Sequence, residues 1–149
     1  MANEYWLYSG ADVTREQVIA LLAAEFDAEH TDFGLGRGES LAVTAWPVDS
    51  EERIELAHDA GIAEPKIGAL FRLRSVDTIE TADQETREIL DTVLALLRAH
   101  PAEAVLQFDT DTVLRHTDGQ VVLNSDWPGW EEIPTLAAIV AGYPARSMD

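Results

Sequence analysis

In 149 residues, 28 Asp and Glu stand against 10 Lys and Arg, a formal net charge of -18 that repels nucleic-acid phosphates and anionic membranes and draws basic partners in. A hydrophobic content of 46% lays this charge over an ordinary globular core, which excludes disorder, and no run nears the roughly 20 apolar residues of a membrane span. The chain has no cysteine, which excludes disulfides and thiolate metal sites.

Residues 4–9 (Glu4-Tyr5-Trp6-Leu7-Tyr8-Ser9) are aromatic and predict a strand. After Gly10, Thr14-Arg15-Glu16-Gln17 reads as a capping box, and Val18, Leu21, Leu22 and Phe26 recur at helical spacing, predicting a helix over 14–26. Phe33-Gly34-Leu35-Gly36-Arg37-Gly38 reads as loose turn material, and Ser40 to Trp46 as a strand closed by Pro47. From Asp49 to Pro65 periodicity is weak, with Ile54 and Leu56 among six acids in a short helix ending near Gly61. Lys66 to Arg74 alternates clearly: Ile67, Ala69, Phe71 and Leu73 form the buried side of a strand.

Thr81-Ala82-Asp83-Gln84 is a second capping box, and Thr86, Ile89, Leu90, Val93, Leu94 and Leu97 carry a helix over 82–99, ending at His100-Pro101. Ala104 to Phe108 predicts a strand. Thr112 to His116 and Gln120 to Asn124 flank Thr117-Asp118-Gly119, a hairpin signal because Asp-Gly tolerates positive φ. A short helix from Pro134 to Ala141 closes the chain. This order predicts an α+β fold over one domain, 1–149: a largely antiparallel sheet with two main helices packed on one face and a short C-terminal helix.

Little in the chain reads as chemistry. His30, His58, His100 and His116 are scattered, none three or four residues from another, and His100 suits the C-terminal end of its helix. Asp109-Thr110-Asp111 lacks the further oxygen ligands of a calcium loop and reads as a turn. No serine lies in an elbow motif, and Gly34-Leu35-Gly36-Arg37-Gly38 lacks the Lys-Ser/Thr pair of a phosphate loop. The expectation is a binding protein and no enzyme, with no catalytic residue, cofactor or metal.

Charge is distributed unevenly. Residues 49–65 and 75–91 each carry a net charge of -5 and residues 103–132 carry -6, whereas Lys66, Arg72 and Arg74 make 66–74 the one basic stretch. The acids of 75–91 suit the start of a helix. Those of 49–65 have no such role, so Asp49, Glu51, Glu52 and Glu55 are candidate partner-binding residues. The second candidate patch is Asp126, Trp127, Trp130, Glu131 and Glu132. Its tryptophans either fold back over the sheet edge or anchor a partner, and Trp46 carries the same two readings.

With these elements in place the chain resembles the Sit-type immunity proteins of bacterial contact-dependent toxin exchange. The resemblance lies in Glu4-Tyr5-Trp6-Leu7 followed by an amphipathic helix, the strand Ala69-Leu70-Phe71-Arg72-Leu73, the long helix, and the closing block from Asp111 to Asn124. Asp49–Pro65 and the tail after Asn124 have no counterpart in it. It implies a small cytoplasmic α+β protein that binds and neutralises a cognate toxin, and it carries over no catalytic residue. The lack of a basic, apolar leader at Met1-Ala2-Asn3-Glu4 fits the cytoplasm. Two other readings stay open: an acidic adaptor or nucleic-acid mimic with a non-toxin partner, and a small-molecule binder with His30 or His116 converging on carboxylates.

Overall fold

The computed structural model describes residues 3–148 other than 27, 39 and 75–78, and no side chain among 79–81. In chain order the elements are β1 (Asn3–Ser9), α1 (Arg15–Glu25), β2 (Glu29–Thr31), β3 (Gly34–Arg37), β4 (Leu41–Pro47), α2 (Ser50–Asp59) and β5 (Ile67–Leu73). There follow α3 (Ile79–Ala99), β6 (Ala104–Phe108), β7 (Asp111–Thr117), β8 (Gln120–Asn124), α4 (Gly129–Glu132), a 3-10 turn at Pro134–Leu136, α5 (Ala137–Gly142) and β9 (Ala145–Arg146). The fold is α+β, with a large and mostly antiparallel sheet in the order β2-β3-β4-β5-β1-β6-β7-β8-β9. Only the β8–β9 pairing is parallel among those described.

The first strand sits at the sheet's centre, between β5 and β6, and divides its side chains between two faces. Tyr5 and Leu7 enter one buried cluster and Tyr8 another, because successive strand side chains point to opposite sides. The larger cluster joins Val43, Phe71, Leu106 and Leu114 of the sheet to Val18 and Leu22 of α1, Ile89, Val93 and Leu97 of α3, and Leu136 and Ile139 of the tail. The helix α1 starts as its sequence predicts: Thr14 accepts the Gln17 N–H at 3.1 Å and the Gln17 side chain accepts the Thr14 N–H at 2.8 Å. The β7–β8 hairpin turns on Asp118 (φ 53°) and Gly119 (φ 80°), both in the left-handed region that Asp-Gly permits.

Three sequence expectations need correction. Residues 34–37 are strand, not loose turn, and they carry the short edge strand β2 with them. Gly34 makes this possible: at φ 150° a Cβ there would meet the Val43 carbonyl oxygen, so only glycine lets β3 lie this close to β4. Second, α3 begins at Ile79, which puts Thr81 inside its first turn instead of ahead of it. The capping contacts expected of Thr81, and the start of the acidic stretch 75–91, lie outside the described residues. Third, helices do not all keep to one face: the two main helices, α1 and α3, share the larger cluster with Tyr5 and Leu7, but α2 does not. Leu56 of α2 is buried with Tyr8 and Val105, on the side of the sheet away from Tyr5 and Leu7. No helix among the described residues is long and apolar enough to cross a membrane.

Candidate functional site

The acidic segment 49–65 folds into α2 because Asp49 caps it, its carboxylate accepting the Glu52 N–H at 2.8 Å. Along the helix, Leu56 and Ala60 then reach the sheet at a spacing of four, and Ile62 follows them into the cluster with Tyr8, Val48 and Val105. Each end of α2 is tied down. At the first, Trp46 Nε1 donates to both Glu52 carboxylate oxygens at 3.0 and 3.1 Å. At the second, Arg115 donates to the Ala60 carbonyl at 2.6 Å and lies against Gly61. Burial lowers the pKa of that guanidinium, with Glu103 opposing the shift.

Strand register lines up the side chains beneath α2. Trp46 pairs with Gly68, Gly68 with Tyr8, Tyr8 with Val105 and Val105 with Arg115, so α2 runs across the strands from β4 to β7. Gly68 is needed at the crossing, since a Cβ there would come within 2.7 Å of the Trp46 ring that lies over it. Trp46 thus leans toward β1 and meets Trp6 edge-on at 6.0 Å (80°) and Tyr8 at 6.3 Å (81°). One register step away the row is Thr44, Leu70, Trp6 and Gln107, all half-buried. The next is Ala42, Arg72 and Glu4, with Arg72 3.6 Å from the Glu4 carboxylate.

The two candidate partner-binding segments are not brought together. Against the expectation that the acids of the first have no helix-start role, Asp49 caps α2 and Glu51 and Glu52 lie in its first turn, where the dipole favours them. Glu51 and Glu55 are exposed and make no ion pair among the described residues. The second segment packs on the larger cluster, across the sheet from α2. Trp127 is 5% exposed there and belongs to the core, with Tyr5 and Phe108 each at 6.4 Å and Trp130 at 4.9 Å. It therefore offers a partner almost no surface. Trp130 is half-buried and donates to the Asn124 carbonyl at 2.8 Å. Asp126, Glu131 and Glu132 are exposed, and Asp126 accepts a hydrogen bond from the Ser147 hydroxyl.

The other constellations stay apart. His30 lies on β2 near one edge of the sheet and His116 on β7, and no group of three metal-binding side chains exists among the described residues. An open depression of about 360 Å³ is lined by Leu97, Arg98, His116 and Tyr143 among others, with no carboxylate in its wall. The small-molecule reading required a histidine converging on carboxylates; an adjoining open depression of about 270 Å³ is lined by His116 together with Glu103 and Asp118.

Burial pushes Tyr5 and Tyr8 from an ordinary value near 10 up to about 12, with the Glu52 carboxylate adding to the effect at Tyr8. A phenol whose pKa is raised by folding keeps its proton in the native state after the unfolded chain has lost it. The stability this contributes is intact below about pH 10 and drains away toward pH 12, at up to about 1.4 kcal/mol per pH unit for Tyr5. The urea midpoint should therefore hold steady to about pH 9.5 and then fall, and Tyr5→Phe should flatten that fall. An unchanged slope in the variant would place the alkaline transition elsewhere.

Of the aromatic group, the sequence marks Trp46 as a candidate anchor but not Trp6 or Tyr8. The signal was present, since β1 carries large aromatic side chains on both faces, more than a strand with one solvated face needs. Comparison with known proteins gives one family: the SitI3-like family model matches residues 3–134, a span that takes in Asp49–Pro65 and runs past Asn124. No curated protein and no solved structure matches the chain.

Proposed function

The chain belongs to the SitI3-like family, and from that membership we propose that it is an immunity protein, binding and neutralising a cognate bacterial toxin domain by stoichiometric, non-catalytic inhibition. The family match across residues 3–134 is the observation that carries this reading. The net charge of -18 supports a toxin with a basic surface, because opposite potentials speed encounter and suppress wrong partners. Glu51 and Glu55, exposed and unpaired among the described residues, are the acids of 49–65 best placed for that contact. We place the protein in the cytoplasm, acting as one domain that binds neither nucleic acid nor membrane.

Co-expression with the toxin domain encoded beside this gene tests the reading. Growth should be restored, and the two chains should co-purify in equal amounts. Continued arrest in cells that accumulate the folded protein would overturn it. Recovery of an abundant basic cellular protein as the stable partner would favour an acidic adaptor instead.

A further inference from the structure

We infer that the sheet face left open beside α2 is where the partner docks, and that its aromatic platform takes an arginine or lysine side chain from a basic protein surface. The identity of that partner rests on the immunity reading; the cation-accepting platform rests on the geometry alone.

The opposite face of the same strands is closed, with Tyr5, Leu7, Val43, Ala69, Phe71 and Leu106 all buried. On the α2 side Thr44, Leu70, Trp6 and Gln107 are only half-buried, and Ala42 and Arg72 are exposed. Among the described residues α2 covers only the neighbouring row, leaving the rest as a shelf with the helix as its wall. Trp46 is held against Gly68 and by Glu52, so the Trp6–Trp46 pair is set before any ligand arrives.

Charge decides the occupant. Both Glu52 oxygens accept from an indole N–H, yet the carboxylate makes no ion pair among the described residues. An aromatic face beside an uncompensated carboxylate attracts a guanidinium or ammonium group. Of the basic side chains on this face, Arg72 is already within 3.6 Å of Glu4 and Arg115 is held on the Ala60 carbonyl, while Lys66 and Arg74 sit at the two ends of β5, away from the Trp6–Trp46 pair. Glu51 and Glu55 continue the negative field along α2. A second copy of a chain at -18 would be repelled, as would nucleic acid.

Calorimetric titration with the toxin domain encoded beside this gene should show Kd raised about 10-fold by Trp6→Ala and by Glu52→Gln. In Glu52→Gln the amide oxygen would still accept from Trp46, so that variant removes charge and little else. Glu131→Gln with Glu132→Gln, across the sheet, should change Kd less than about 2-fold. Wild-type binding with unchanged affinity in Trp6→Ala and Glu52→Gln would overturn the docking face and leave the immunity reading standing. A second titration, with hexa-arginine peptide and ¹⁵N-labelled protein, needs no toxin. The indole signals of Trp6 and Trp46 should shift while those of Trp127 and Trp130 stay put. Still signals at Trp6 and Trp46 would overturn the platform. If those signals shift but wild type does not bind the toxin, the immunity reading falls and the cation platform stands.

Discussion

Truncating Phe71 to alanine is expected to destabilise the protein by about 3–5 kcal/mol, a large share of the roughly 5–15 kcal/mol that holds most domains folded. Phe71 is fully buried on β5, paired with Tyr5 on one side and Val43 on the other. Its ring lies 6.0 Å from that of Phe26, just past the end of α1. Deleting it opens a cavity where the sheet meets α1, and neither the strand nor the helix can shift to fill it without breaking register. In urea the midpoint should drop sharply with little change in slope. Phe33→Ala is the matching control, because Phe33 is 80% exposed and should change stability by no more than about 0.5 kcal/mol. A loss below about 1 kcal/mol for Phe71→Ala would mean the core repacks around it.

Reversing charge at Glu51 and Glu55 together, each to lysine, is expected to slow association with the partner about 10- to 100-fold at low salt, and far less at high salt. Both side chains are exposed, so folding stability should fall by only about 1 kcal/mol, most of it from Glu51, which lies in the first turn of α2 where the helix dipole favours an acid. Neutralising Asp49 as well would confuse the result, because losing its cap costs about 1 kcal/mol of helix stability. Stopped-flow kinetics across a salt series would separate the two effects. If rate and salt dependence are both unchanged, the acids of α2 serve solubility alone.

Much of the architecture is legible locally. The Thr14–Gln17 box, the alternation of Ile67, Ala69, Phe71 and Leu73, and the Asp118-Gly119 turn each act within a few residues, and each occurs where its sequence places it. The glycine-rich run 33–38 reads as a turn, yet 34–37 is strand, for a physical reason. Glycine weakens a strand by propensity, yet here Gly34 permits the close approach to Val43 that forms it. The candidate site was half legible: its acids stand out in composition, but the row joining Trp46, Gly68, Tyr8 and Val105 depends on pairing between strands far apart in the chain.

Fold class, central elements and acidic character are legible along the chain, because capping, periodicity and charge are properties of neighbouring residues. Which side of the sheet each acidic segment occupies depends on the folded arrangement, and it is the packing that assigns it. It buried Trp127 in the core, set α2 on the opposite face and left Trp6 and Trp46 half-open beside a carboxylate with no ion pair among the described residues. Faces are assigned by long-range register, and a one-residue shift in that register would exchange the core for the surface.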